Sequence, residues 1–300
     1  MKIVVTGSLG HISKPLVEEL IQNGHLVTVI SSKSEKQKDI EALGGIPAIG
    51  SINDPAFLTK TFGGADIVYL MEPPANFFDL NTDIDKYWIK IAQSYFEAVR
   101  QSGVNRIIHL SSVGAHTDKG VGMLATHHYV ENILKELPDN VFIKFLRPVG
   151  FYYNMFAFIP AIKNAKAIIQ NYGGDEKEPW VSPVDIAAVI AEEIEKPFRG
   201  RTVRYVASDE VSPNEVASIL GKAIGKPDLK WMAIPDENFL NNLINIGFNP
   251  KAAKGLTDMN AGRLNGLYAD YNLNKPALGK IKLAEFAREF AVVYAEQNKN

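Results

Sequence analysis

Gly7 and Gly10, in the run Thr6-Gly7-Ser8-Leu9-Gly10, are the residues whose type and spacing most directly suggest chemistry. They follow a β-branched run, Ile3–Thr6, and precede His11–Asn23, a segment of helical length closed by Asn23-Gly24. A strand, a glycine turn and a helix in that order form an anion cradle. Glycine allows a sharp turn and close approach of bare amides to a pyrophosphate, and the helix N-terminus adds a partial positive charge. Gly7, Ser8, Gly10, His11 and Ile12 are therefore the expected phosphate contacts of a dinucleotide. Ser13 stands where a third glycine would let helix and strand pack closely, and Pro15 lies near enough to the helix start to be tolerated.

An NAD site places Asp or Glu about 20 residues beyond the turn, to hold the ribose 2′-hydroxyl. This chain has Ser31-Ser32-Lys33 there. Two hydroxyls and an ammonium suit a 2′-phosphate, so NADP(H) is expected over NAD(H); the competing reading is a solvated lysine in an ordinary turn.

The elements that must position these residues follow from periodicity. Short strands are expected at Ile3–Thr6, Leu26–Ile30, Pro47–Ile49, Ile67–Leu70, Arg106–Leu110 and Phe142–Leu146, alternating with helical stretches. Ile84, Tyr87, Trp88, Ile91, Tyr95, Ala98 and Val99 recur every three or four residues, marking a long helix with one apolar face. This predicts an α/β fold: a doubly wound, Rossmann-type parallel sheet with a smaller, mainly helical C-terminal lobe. A helix is expected around Met155–Ile169, then a turn at Tyr172-Gly173-Gly174. Ser182-Pro183-Val184-Asp185 opens another helix with an N-cap serine and proline at its first position. Thr202–Ala207 reads as a strand returning to the first sheet. The expected division is residues 1–150, joined by 183–207, as the dinucleotide-binding domain, and 151–182 with 208–300 as a substrate or partner lobe.

Three further segments fall at strand ends, where ligands of such sheets bind. Ser111 and Ser112 end the fifth strand, either beside the nicotinamide or capping local backbone. Phe151, Tyr152, Tyr153 and Asn154 follow the sixth strand, as an aromatic slot suited to a flat substrate or, for some of the rings, as core. Pro73, in Met71-Glu72-Pro73-Pro74, either passes the adenosine or simply stiffens a connector.

Composition narrows the partners. A formal charge of −2 and a pI near 6.3 disfavour nucleic acid and anionic membranes. The chain has no cysteine, which removes thiolate chemistry and Cys-ligated metals and fits a reducing compartment. His127 and His128 are adjacent on an expected helix, about 100° apart, so they do not chelate one ion together, and no metal is expected. No leader is visible and no apolar run approaches the roughly 20 residues of a membrane span, so a soluble, cytoplasmic protein is expected.

The order Thr6-Gly7-x-x-Gly10, Leu110-Ser111-Ser112-Val113-Gly114-Ala115, Leu146-Arg147-Pro148 with Asn154, and Val181-Ser182-Pro183-Val184-Asp185-Ile186-Ala187 resembles the NmrA-like group of atypical short-chain dehydrogenases. The resemblance implies an NAD(P)-binding domain with a small C-terminal lobe, and a quinone, another carbonyl compound or a redox signal as input. Catalytic short-chain dehydrogenases carry a Tyr-x-x-x-Lys pair. Aligning Gly122–Glu131 with the helix that bears it puts Met123 at the tyrosine position and His127 at the lysine position. The one literal match, Tyr271 with Lys275, lies in the C-terminal lobe before Pro276 and reads as coincidence. A proton would then come from elsewhere. His127 and Tyr152 are the candidate donors, with packing or a ribose contact the other reading of His127, and Tyr129 lies close by on the same helix.

Two functions follow. One is an NADPH-dependent oxidoreductase acting on a small conjugated acceptor such as a quinone, whose reduced anion is delocalised and needs less help from an acid. The other is a non-catalytic NADP(H)-dependent redox sensor acting through a regulatory protein partner.

Overall fold

The computed structural model describes residues 1–297. The strands are β1 (Lys2–Val5), β2 (Leu26–Ser31), β3 (Ile46–Ile49), β4 (Ile67–Leu70), β5 (Arg106–Leu110), β6 (Phe142–Pro148), β7 (Gly150–Phe151), β8 (Ala167–Gln170), β9 (Glu178–Val181), β10 (Arg201–Val206), β11 (Asp209–Val211) and β12 (Lys230–Ala233). The helices are α1 (Ser13–Gln22), α2 (Gln37–Ala42), α3 (Pro55–Phe62), α4 (Ile84–Ser102), α5 (Ala125–Lys135), α6 (Ile159–Ala165), α7 (Pro183–Glu195), α8 (Pro213–Ala223), α9 (Asp236–Asn245), α10 (Pro250–Gly262), α11 (Ala269–Leu273) and α12 (Leu283–Glu296).

Seven strands form one parallel sheet in the order β3-β2-β1-β4-β5-β6-β10. Strand order reverses between β1 and β4, which opens a crevice at their carboxyl ends. The glycine turn leaves β1 at that point, and Met71–Pro74 leaves β4 beside it. Both faces of the sheet are covered, so its central strands are apolar on both sides: all of β4 is buried. One face packs against α1 and α7 through Leu16, Val17, Leu20, Ile186 and Ile190. The other packs against α3, α4 and α5 through Leu58, Trp88, Ile91, Tyr95 and Val130. The apolar stripe expected on α4 is the face it buries, apart from Tyr87, which is half-buried.

A third core holds the C-terminal lobe, where α8 and α12 enclose Tyr152, Met155, Trp180, Trp231 and Phe290. The helix expected over Met155–Ile169 is shorter. A 3₁₀ segment spans Tyr152–Phe158, α6 ends at Ala165, and Lys166 turns left-handed with φ 56°. Ile168 and Ile169 then enter β8 and pair with Trp231 and Met232 of β12. Their branched side chains suit a strand, and the partner lies over 60 residues away, beyond the reach of a local pattern. Ser182 caps α7 as expected, accepting from the Val184 amide at 3.2 Å. No helix among the described residues is long and apolar enough to cross a membrane.

Candidate functional site

Gly7 adopts φ +86°, and a Cβ there would lie 2.4 Å from Met71 Sδ and 2.6 Å from Ser13 Oγ. Glycine is therefore required twice, by conformation and by space. The Gly10 amide donates to the Gly7 carbonyl at 3.2 Å, closing the turn, and the Lys14 amide donates back to Gly10 at 2.9 Å. No protein acceptor meets the His11 or Ile12 amides among the described residues, and Ile12 supplies no side-chain cap to α1. These free donors at a helix start are what an anion needs. Ser8 differs from its neighbours. Its φ is 53°, its amide donates to the Ile30 carbonyl, and its hydroxyl donates to Ser31 Oγ at 3.0 Å.

Ser31 is buried and accepts from the Lys33 amide at 3.2 Å, so it shapes the β2 turn, while Ser32 and Lys33 are exposed beside it. Ser13, the departure from the glycine pattern, donates its hydroxyl to the Thr6 carbonyl at 2.9 Å. The added side chain thus bridges helix and strand. Thr6 continues the chain of contacts by accepting from the Met71 amide at 2.9 Å. Pro73 is half-buried in the same segment, its carbonyl accepting from Trp88 Nε1 at 2.9 Å.

The structure also brings the helix start and the expected aromatic segment together. The His11 ring stacks on Tyr153, centroids 4.9 Å apart and planes 23° apart, and Phe151 tilts against Tyr153 at 5.4 Å. Phe151 and Tyr153 thus wall the glycine turn. Asn154 is exposed.

Two expected roles need correction. Tyr152 turns away from its neighbours into the third core, where its ring stacks on Phe286 at 5.4 Å and burial pushes its phenol well above the usual range. It neither faces the turn nor gives up a proton readily. Ser111 is also committed elsewhere: its buried hydroxyl donates to Glu131 Oε1 at 2.6 Å, leaving half-buried Ser112 as the serine at this strand end with no such commitment.

His127 lies on α5 with its ring 5.3 Å from that of Trp88. The residue is half-buried, but Nδ1 is sealed and has no partner among the described residues. Burial lowers its pKa to about 4, so it is neutral near pH 7 and has no proton of an imidazolium to donate. His128 Nδ1 lies 3.0 Å from the Ala115 carbonyl, apart from that site. Tyr129 is exposed, and its hydroxyl faces Asp118. Tyr271 and Lys275 both bind Glu210, which gives that pair a structural place in the lobe. No group of three or more potential ligand side chains forms a metal site among the described residues.

Two buried polar assemblies have roles that the motifs do not indicate. Arg147 on β6 makes a bidentate pair with Glu131, both bonds 2.8 Å, and reaches Asp270 at 3.2 Å. Burial alone would raise the Glu131 pKa, but the guanidinium, Ser111 and Lys135 bring it down to about 2. His109 on β5 meets the Glu72 carboxylate at 3.1 Å, both side chains almost fully buried. The available signal was a charged or titratable residue inside an otherwise apolar strand, which requires a buried partner.

Known proteins share this fold. The chain is 24% identical to an NAD(P)H azoreductase of Xenophilus azovorans over 261 residues, 86% of each protein. The NADPH complex of an NADPH-dependent quinone oxidoreductase from Escherichia coli superposes with a TM-score of 0.77 at 22% identity, covering 96% of this chain and 99% of that one. A Citrobacter sp. triphenylmethane reductase complexed with NADP(H) gives 0.75 at 20% identity, covering 97% and 100%. These structural likenesses show a common Rossmann-type fold. The NmrA-like family matches residues 1–277, nearly the whole length, and the chain belongs to that family.

Proposed function

We propose that the chain is an oxidoreductase that binds NADP(H) at the glycine turn and reduces a small conjugated acceptor, such as a quinone, held against Phe151 and Tyr153. The carrying observation is the His11–Tyr153 stack, which joins an aromatic wall to the helix start that has free amide donors. His11 and Ile12 would bind the pyrophosphate by their amides, Gly7 and Gly10 would give it room, and Ser32 and Lys33 would meet the 2′-phosphate. Pro73 and Ser112 would border the cofactor. The names of the azoreductase, quinone oxidoreductase and triphenylmethane reductase relatives support reduction by a nicotinamide cofactor.

The bound cofactor supplies a hydride. The chain's own residues orient the acceptor, and the proton that completes reduction comes from water, because His127 is held neutral and Tyr152 lies in the lobe core. In this reading residues 1–150 with 183–207 hold the cofactor, while 151–182 with 208–300 cover the acceptor. The neutral state of His127 also favours the second reading, a redox sensor that reports NADP(H) to a protein partner. Titration with NADP⁺, NADPH, NAD⁺ and NADH, followed by single-turnover oxidation of NADPH with quinones and enals, separates them. Absence of oxidation with every acceptor, despite NADPH binding, overturns the enzyme reading and leaves the sensor.

A further inference from the structure

At the lobe junction α10 crosses the N-terminal ends of α4 and α5. Along one edge the contact is as close as backbones allow: a Cβ on Gly122 would lie 2.2 Å from the Met259 amide nitrogen, and one on Gly255 would lie 3.0 Å from Met123 Cβ. Along the other edge Asn249 ties α10 to the segment before α4, donating to the Asp79 carbonyl at 3.0 Å and the Thr82 carbonyl at 3.4 Å. Lys251 adds bonds to Asp83 at 2.9 Å and Asp85 at 2.6 Å. Between the glycine seam and this ionic clamp the helices diverge around a cavity of about 390 Å³.

The cavity's apolar lining is Ile84, Trp88, Met123, Tyr129 and Ala252, and its charged lining is two ion pairs, Lys251 with Asp85 and Lys254 with Asp258. Its volume is that of a small-molecule site. Two aromatic rings and a thioether offer flat, polarisable surfaces that favour an aromatic guest. Charge in the guest is disfavoured by the same inventory. Each lysine already holds a carboxylate, Thr126 donates to Asp85, and the Tyr129 hydroxyl faces Asp118. The lining therefore offers a charged guest no unpaired counter-ion.

We propose that this cavity is a binding site for a flat, uncharged aromatic molecule that bridges α10 to α4 and α5. None of the lining residues belongs to the glycine turn or to Ser31–Lys33, so the site is separate from the pyrophosphate and 2′-phosphate contacts, and it meets the cofactor border only where Trp88 donates to the Pro73 carbonyl. A guest touches both the helices that cover the sheet and α10, and binding holds the lobe junction together.

The test uses the full chain without cofactor and two probes, 1-naphthol and naphthalene-1-sulfonate, titrated calorimetrically. 1-Naphthol should bind once per chain, raise Tm and quench Trp88 fluorescence, with the sulfonate at least tenfold weaker. Met123→Trp, which fills the cavity, should weaken 1-naphthol at least tenfold while leaving NADPH affinity within twofold. Trp88→Phe keeps a ring on the floor and should remove most of the quenching with less effect on affinity. Should Met123→Trp fold poorly, Ala252→Ser, which places a hydroxyl on the apolar wall, should weaken 1-naphthol severalfold. No saturable binding, equal affinity for the two probes, or unchanged affinity in the folded variants overturns the site. Loss of NADPH binding in the wild-type chain would instead sink the cofactor assignment, without touching this one.

Discussion

The Ser13 hydroxyl donates to the Thr6 carbonyl at 2.9 Å, fastening the first turn of α1 to the end of β1 directly beneath Gly7. Gly7 is the more exacting member of this junction. Alanine there must hold φ +86° and push its Cβ against Met71 Sδ and Ser13 Oγ. Gly7→Ala should lower stability by roughly 1–3 kcal/mol and weaken NADPH at least tenfold. Ser13→Ala should cost only about 1 kcal/mol, the usual scale of one hydrogen bond. Thermal melts and NADPH titration of the two variants check the ranking, and equal effects would discard it.

On the proposed reading, Lys33 decides between NADP(H) and NAD(H). It is exposed beside the β2 turn that Ser31 shapes, free to meet a phosphate entering from solvent. Lys33→Glu should weaken NADPH at least tenfold, change NADH less than threefold and leave Tm unchanged. Equal losses for both nucleotides would remove Lys33 from the 2′-phosphate site.

The roles of the adjacent tyrosines diverge because both open a 3₁₀ segment, whose successive residues point about 120° apart. Tyr152→Phe keeps the stack on Phe286 and loses only a long 3.4 Å bond to the Ile281 carbonyl, so kcat should stay within twofold. Tyr153→Ala removes the ring over His11 and should raise the KM for a quinone at least fivefold. Steady-state kinetics of the pair decides this, and the reverse ranking would return Tyr152 to the site.

Acid should act on the fold through Glu131. Its carboxyl titrates near 2 in the folded chain against an ordinary value of 4.5. A depressed carboxylate stabilises the fold above its unfolded pKa, and that contribution is lost as pH falls from about 4.5 toward 2. Glu131→Gln should destabilise by about 3–5 kcal/mol at pH 7, since it leaves the Arg147 guanidinium poorly compensated, and should flatten the acid limb of the stability curve. His127 adds a term of the same sign at higher pH. Its neutral form is favoured in the fold, so stability falls between about 6.5 and 4 as the unfolded chain takes up the proton first. Urea melts from pH 3 to 8 measure both.

What was legible in the sequence was what local pattern encodes. The glycine turn, the α4 stripe and the capped start of α7 each lie within one window, and the strands of the sheet fell within a residue or two of their places. Ile168 and Ile169 were misread because β8 exists only through β12, and an isoleucine pair followed by a glycine turn reads equally well as a helix end. Tyr152 was misassigned for a related reason: composition marks an aromatic cluster but not which ring turns toward which core. Ser111 looked free at a strand end because its acceptor, Glu131, sits 20 residues away on α5. Contacts of that range are set by packing, which a motif does not describe.

Asp185, inside the segment that carried the resemblance, has a place that its sequence context conceals. It opens α7 as an acid in the first turn, where the helix dipole favours it, yet its carboxylate is buried and serves a distant strand end. It accepts from Ser208 Oγ at 2.6 Å and from the Lys280 and Ile281 amides at 3.1 and 3.0 Å. Gly279 is held so close that a Cβ would lie 2.3 Å from Asp185 Oδ2. One carboxylate therefore ties α7, which covers the sheet, to the segment leading into α12, which closes the lobe core. Removing it takes the acceptor from three donors, of which the Ser208 hydroxyl is fully buried while Lys280 is exposed and Ile281 half-buried, so Asp185→Ala should destabilise by roughly 1–3 kcal/mol. Asp185→Asn preserves shape but brings an amide hydrogen against donors, and should recover only part of that loss. Gly279→Ala, which pushes the segment off the carboxylate, should reproduce the same increase in amide hydrogen exchange at residues 280–283. Exchange confined to α7, with 280–283 unchanged in all three variants, would show that the carboxylate stabilises its own helix and does not hold the lobe.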